Sequence, residues 1–105
     1  MTFTERYPGV LEAVAADYGF AAKDLLKGKK LQTIAKAEAR AVAAWIAYSR
    51  FKTSYPEIAK TLKMKYPACR SRILFVVGRQ KTSDEFRTRC ERIVQQLFPS
   101  VERNQ

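Results

Sequence analysis

Ser54-Tyr55-Pro56-Glu57-Ile58-Ala59-Lys60-Thr61-Leu62-Lys63-Met64-Lys65-Tyr66-Pro67-Ala68-Cys69-Arg70-Ser71-Arg72-Ile73-Leu74-Phe75-Val76-Val77 reads as two helices joined by a tight turn. Ser54 and Glu57 form a capping-box pattern, in which the hydroxyl takes the amide of the third helical residue and the carboxylate reaches back to the Ser54 amide. Pro56 is tolerated in that first turn, where its missing N–H has no helical partner to lose. The helix it opens runs from Tyr55 to about Leu62 and buries Ile58 and Leu62. Lys63-Met64-Lys65 makes the turn. Tyr66-Pro67 then starts a second helix, to about Gly78, whose inward face is Cys69, Ile73, Val76 and Val77. Residues 54–78 thus have the layout of a helix-turn-helix, whose second helix lies in the major groove of DNA in proteins that use it so.

Outward from this unit the pattern stays helical. Val10, Leu11, Val14 and Tyr18 recur at the spacing of one buried helical face, with Pro8 in the first turn and Gly19 as the C-cap. A short helix, Ala22 to Leu26, precedes the basic loop Lys27-Gly28-Lys29-Lys30. From about Gln32 to Phe51 the chain is alanine-rich, with Ile34, Val42, Trp45, Ile46 and Tyr48 spread over a wide arc. A helix with that arc touches several neighbours, so this is the expected central helix; Trp45, Tyr48 and Phe51 could form a stacking platform for bases, but at helical spacing beside Val42 they are expected in the core. Thr82-Ser83-Asp84-Glu85 reads as a second capping box, followed by Phe86, Cys90, Ile93, Val94 and Leu97 at helical spacing. Pro99 ends that helix, and the tail at about 100–105 is expected to fray. No strand alternation, repeat or linker interrupts the series. The expected fold is a single all-α domain of five to six helices spanning 1–105.

Charge dominates the composition. Twenty Lys and Arg oppose ten Asp and Glu among 105 residues, giving +10 at neutral pH and a pI near 10.0. Such an excess repels itself in the folded state and points to a polyanionic partner. Between Arg50 and Lys81 there are nine basic residues and one acid, Glu57. An ordinary solvated face would mix the signs. The chain has no histidine, which excludes His-based acid/base catalysis, Ser-His or Cys-His nucleophiles and His-containing metal sites. Cys69 and Cys90 match no zinc spacing and read as small buried hydrophobes of a reduced compartment. Glu38, Arg40 and Arg50 interrupt the longest apolar stretch, so no membrane span is expected. With no signal-peptide pattern at Met1–Arg6, the expected location is the cytoplasm, on the nucleoid if the source is bacterial.

The stretch from Val10 to Leu97 resembles the C-terminal DNA-binding domain of the bacterial replication initiator DnaA, a helical domain of Trp-repressor-like fold. Val14-Ala15-Ala16-Asp17-Tyr18-Gly19-Phe20 with Asp24-Leu25-Leu26 resembles that family's opening helix and its "DLL" element. Ala39-Arg40-Ala41-Val42-Ala43-Ala44-Trp45-Ile46-Ala47 is similar to its "ARQVAMYLA" helix, and Ser54-Tyr55-Pro56-Glu57-Ile58-Ala59 to its "SLPEIG". The resemblance implies that Lys27, Lys29 and Lys30 sit in a loop that reaches the minor groove. It departs at the signature "GGRDH[ST]T", where this chain has Lys63-Met64-Lys65-Tyr66-Pro67-Ala68-Cys69. Lys65 keeps the basic character of the family's arginine. Tyr66, Pro67 and Ala68 replace the Asp, His and Thr that read base edges, and Pro67 has no side-chain hydrogen-bonding group. Base readout needs directed bonds or a thymine-methyl contact, so the initiator's own site is not the expected target. The family's ATPase module is absent from these residues, which contain no GxxxxGK[ST] phosphate loop.

The expected function is non-enzymatic binding of double-stranded DNA, with no cofactor and no metal, in a regulator of replication or transcription or an accessory phage or nucleoid protein. Lys52, Lys60 and the first amides of the helix from Tyr55 are expected to grip phosphates. The helix from Pro67 is expected to bring Lys65, Tyr66, Ala68, Arg70 and Arg72 to the groove. Lys63 in the turn, Arg40 on the central helix, and Lys27, Lys29 and Lys30 complete the expected contact set; Lys36 and Arg40, one turn apart, fit a phosphate clamp and equally an intrahelical pairing near Glu38. Arg87, Arg89 and Arg92 read as plain surface charge. The rival readings are a degenerate helix-turn-helix that binds a protein partner, and an RNA binder. An exposed apolar patch at Leu74 and Phe75 would favour the protein partner, a continuous basic stripe DNA.

Overall fold

Thr2-Phe3-Thr4-Glu5 opens the chain with a full capping box: the Thr2 hydroxyl accepts from the Glu5 amide and Glu5 returns the bond to the Thr2 amide. Helix α1 (Phe3–Tyr18) therefore begins a turn and a half earlier than Pro8 suggests, and Pro8 lies inside it at an exposed position. The apolar anchor behind the early start is Phe3, fully buried against the rings of Tyr7 and Phe51. The computed structural model describes residues 2–26 and 34–99. After α1 come α2 (Ala22–Leu26), α3 (Ile34–Arg50), α4 (Tyr55–Thr61), α5 (Tyr66–Thr82) and α6 (Asp84–Leu97). The described residues are helical throughout, without a strand, and none of these helices is long and apolar enough to cross a membrane. The loop at 27–30 and the tail at 100–105 lie outside the described residues.

The alanines of α3 explain its central place. Ala39, Ala41, Ala43, Ala44 and Ala47 are buried with Val42 and Ile46, and such short side chains let α1, α2, α4 and α5 all approach one helix. Two residues expected among them point elsewhere: Ile34 is 87% exposed and Tyr48 43% exposed. Helix α6 closes the other side against α1 and α5 through Phe86, Cys90 and Ile93. A single core cluster joins all six described helices. Cys69 and Cys90 are buried and free, and burial pushes the Cys90 thiol up to about 12, which makes it an inert filler.

Helix ends decide the rest. Gly19 takes the left-handed conformation after α1, and the amides of Gly19 and Phe20 turn back to the carbonyls of Ala16 and Ala15. The end of α4 has the same geometry: the amides of Lys63 and Met64 bond the carbonyls of Lys60 and Ala59, with Lys63 at φ 57°. In lysine, unlike glycine, the Cβ there crowds the following carbonyl oxygen. Lys63→Gly should therefore raise stability by about 0.5–1 kcal/mol, roughly 2–8 °C in Tm, as a thermal melt would show.

Three further expectations are corrected. Helix α5 runs one turn past Gly78, and Val77 lies off its inward face, exposed, while Cys69, Ile73 and Val76 are buried. The second capping box is not formed. Thr82 is the last residue of α5, and Ser83 alone caps α6 by accepting from the Phe86 amide. Ser54 does cap α4, but Glu57 turns away from it and accepts a 2.9 Å bond from the Thr4 hydroxyl, tying α4 to α1. That tie matters because a seven-residue helix has no stability of its own and stands on the burial of Ile58, Ala59 and Leu62.

Candidate nucleic-acid interface

The surface is built by α4, its turn and α5. Lys60, on the outer side of α4, and Lys63 in the turn line one shallow groove with Thr4, Pro56, Thr61 and the single acid Glu57, whose carboxylate is taken by the Thr4 hydroxyl. Lys65 stands at the N-cap of α5 with extended backbone; an ammonium cannot accept the free amides there, and the side chain stays exposed. One turn into α5 comes exposed Arg70, whose charge reaches Tyr55; the Tyr55 ring is 6.1 Å from that of Tyr66. Lys52, at φ 53°, is exposed where the chain leaves α3 for α4. Ala68 is partly buried, and so is Arg72.

Arg40 has a different job from the phosphate clamp expected of it. Its guanidinium is half-buried and donates to the carbonyls of Leu62 at 3.1 Å and Lys63 at 3.4 Å. A cation on the last carbonyls of a helix satisfies orphan acceptors and opposes the negative end of the dipole. Arg40 thus pins the α4–α5 turn to α3. Burial, followed by the nearby charge of Arg72, lowers its pKa from the usual arginine value. Lys36 is buried rather than offered to solvent, so the two do not form an outward pair. Lys27, Lys29 and Lys30 lie outside the described residues.

The ion pairs fall elsewhere. Asp17, its side chain 8% exposed, is held by Arg89 at 2.9 Å and by both Arg92 Nε and Nη2, at 2.7 and 2.9 Å. Glu38 accepts the Tyr18 hydroxyl and faces Arg79 at 3.8 Å and Arg89 at 4.0 Å. Arg89 also lies over the Tyr18 ring, 3.9 Å from its centroid. Arg87 pairs within α6 to Asp84 and Glu91. Arg89 and Arg92 are therefore the link between α6 and α1, not plain surface charge. A hint was present in the sequence: Asp17 sits at the negative end of a helix, where an acid needs a cation. Among the described residues, by contrast, Lys52, Lys60, Lys63, Lys65 and Arg70 make no ion pair.

One feature of this face escaped the sequence reading, and one it had named as the mark of a protein partner is present. Tyr48 stacks on Tyr55 across the α3–α4 connection instead of entering the core, and no local spacing announces a contact between two helices. The C-terminal half of α5 shows Leu74 at 49% and Phe75 at 44% exposure, with Val77 beside them. Among the described residues no group of three or more His, Cys, Asp or Glu is placed to hold a metal ion. No protein-family model, no curated protein and no solved structure matches the chain. What the fold defines is a six-helix all-α domain that carries a two-helix unit with unpaired cations.

Proposed function

We propose that this chain is a non-enzymatic module that binds double-stranded DNA, a relative of the initiator's C-terminal domain acting in replication, transcription or as an accessory phage or nucleoid protein. One observation carries the reading. Asp17, Glu38, Asp84 and Glu91 hold the arginines of α6, while Lys52, Lys60, Lys63, Lys65 and Arg70 around α4 and the start of α5 make no ion pair. Unpaired cations on one unit attract a polyanion through counterion release. Lys52, Lys60 and Lys63 would rest on the backbone at α4, and Lys65, Tyr66 and Arg70 would enter the groove at the start of α5. Few of these side chains are equipped to read base edges, so the module recognises the duplex mainly by its phosphates and groove shape.

The test is a titration of one duplex with three variants. Lys65→Ala and Arg70→Ala should each weaken binding across all sequences and lower the salt slope by about 1. Arg87→Ala, an exposed charge of the same sign on α6, should leave the slope in place; Arg89 is unsuitable as a control because it links helices. Equal losses at all three positions would discard the docking model. A second reading, a protein partner, is favoured by exposed Leu74, Phe75 and Val77. The paired variant Leu74→Ser, Phe75→Ser separates the two. It should leave duplex affinity intact if the N-terminal half of α5 meets DNA.

A further inference from the structure

Tyr48, Tyr55 and Tyr66 come from three elements, the end of α3 and the starts of α4 and α5, and meet on the surface. The Tyr48 and Tyr55 rings lie 5.2 Å apart at 19°, a stacked pair, and Tyr66 leans on Tyr55 at 59°. The middle ring is partly covered, while the two end rings, Tyr48 and Tyr66, are 43% and 49% exposed. Core formation does not explain this. A stacked tyrosine with nearly half of its surface in water leaves apolar area unburied, whereas Phe3 and Phe86 are buried. Arg70 is exposed one turn into α5, with its charge reaching Tyr55, and Lys52 is exposed on the connection between Tyr48 and Tyr55.

We infer that this tyrosine ladder is a stacking platform for unpaired nucleobases, so that the module takes single-stranded DNA as well as duplex. The inference rests on the DNA reading above and deepens it. In a duplex both faces of each base are covered by their neighbours, and a protein ring finds no free π-face. An unpaired base offers one, whatever its identity. Exposed aromatic rings next to cations that hold the backbone are how strand binders without sequence preference work. The end rings extend the ladder's own stack to the base, and Arg70 and Lys52 hold the adjoining phosphates.

The experiment compares three fluorescein-labelled probes by anisotropy at one low salt concentration: a short duplex, oligothymidylate of twelve nucleotides, and an abasic strand with the same number of phosphates. Oligothymidylate should bind at least about fivefold more tightly than the abasic strand, the effect of one stacked base. Tyr48→Ala should reduce oligothymidylate affinity by about 5- to 100-fold and bring it toward the abasic value, with duplex affinity changed less than twofold. Tyr48→Phe should keep the preference, since the ring and not the hydroxyl does the stacking. Equal binding of the thymidylate and abasic strands by the unaltered chain overturns the ladder, and so does a folded Tyr48→Ala with unchanged thymidylate affinity. If Tyr48→Ala does not fold, the two-strand comparison on the unaltered chain decides alone. Failure to bind duplex or either strand would instead remove the DNA reading itself.

Discussion

Raising the salt from about 50 to 200 mM should weaken duplex binding roughly a thousandfold. If the five cations of the two-helix unit and one more on the same face each met a phosphate, ~6 would be neutralised, which gives a log–log slope of about −5. A fourfold rise in salt is about 0.6 decades, so the loss is about three decades in affinity. The slope measures how many cations act, and only those without an acid partner count in full. Arg87, Arg89 and Arg92 already have carboxylates within 2.9 Å, and their contribution is spent inside the fold. A slope near zero, or no binding at low salt, would remove the electrostatic basis of the proposal. Lys63→Gly ties this to the fold: it should gain stability at the left-handed turn position and lose about one unit of slope.

Asp17→Asn should cost about 2 kcal/mol at neutral pH, within the range for hydrogen bonds to a charged group, and lower Tm by roughly 8–16 °C. The carboxylate joins α1 to α6 through two guanidiniums, with its side chain 8% exposed. The Arg92 hydrogen bond is the chief cause that holds the Asp17 carboxyl below its usual value; burial opposes it, and the charges of Arg92 and Arg89 reinforce it. A carboxyl depressed in the folded state binds its proton more readily when unfolded. The stability it contributes is therefore fully present above about pH 4, the unfolded value, and is lost as pH falls through the lower folded one. The unaltered chain should destabilise steeply below about pH 4, and Asp17→Asn should lack that part of the descent. Parallel Tm–pH curves for the two would show that the pair contributes nothing to the fold.

Most helices of this chain are written in short-range signals. Gly19 closes α1, Ser54 and Pro56 open α4, Tyr66 and Pro67 open α5, and Pro99 follows α6, each acting on backbone groups within a turn of itself. The apolar spacing of Cys69, Ile73 and Val76, and of Phe86, Cys90 and Ile93, marks the faces that meet. The errors were also local. Pro8 and Gly78 look like boundaries, yet neither ends a helix: Phe3 is buried on the far side of the first, and just past the second Arg79 lies over the Phe86 ring of α6, 5.2 Å from its centroid. The charge excess between Arg50 and Lys81 is a count, and a count is legible without a fold.

What the amino-acid order could not disclose is which of those charges are already taken. Arg40 finds its carbonyls 22 residues away, and Arg92 finds Asp17 at a distance of 75. Tyr48 meets Tyr55 only because α3 and α4 turn toward each other. Helix formation depends on neighbours three and four apart, so composition and spacing suffice for an all-α domain with a basic two-helix unit. The partner of a side chain on an outer face depends on how helices pack, and the same arginine is a clamp, a link or a free cation according to what tertiary packing sets opposite it.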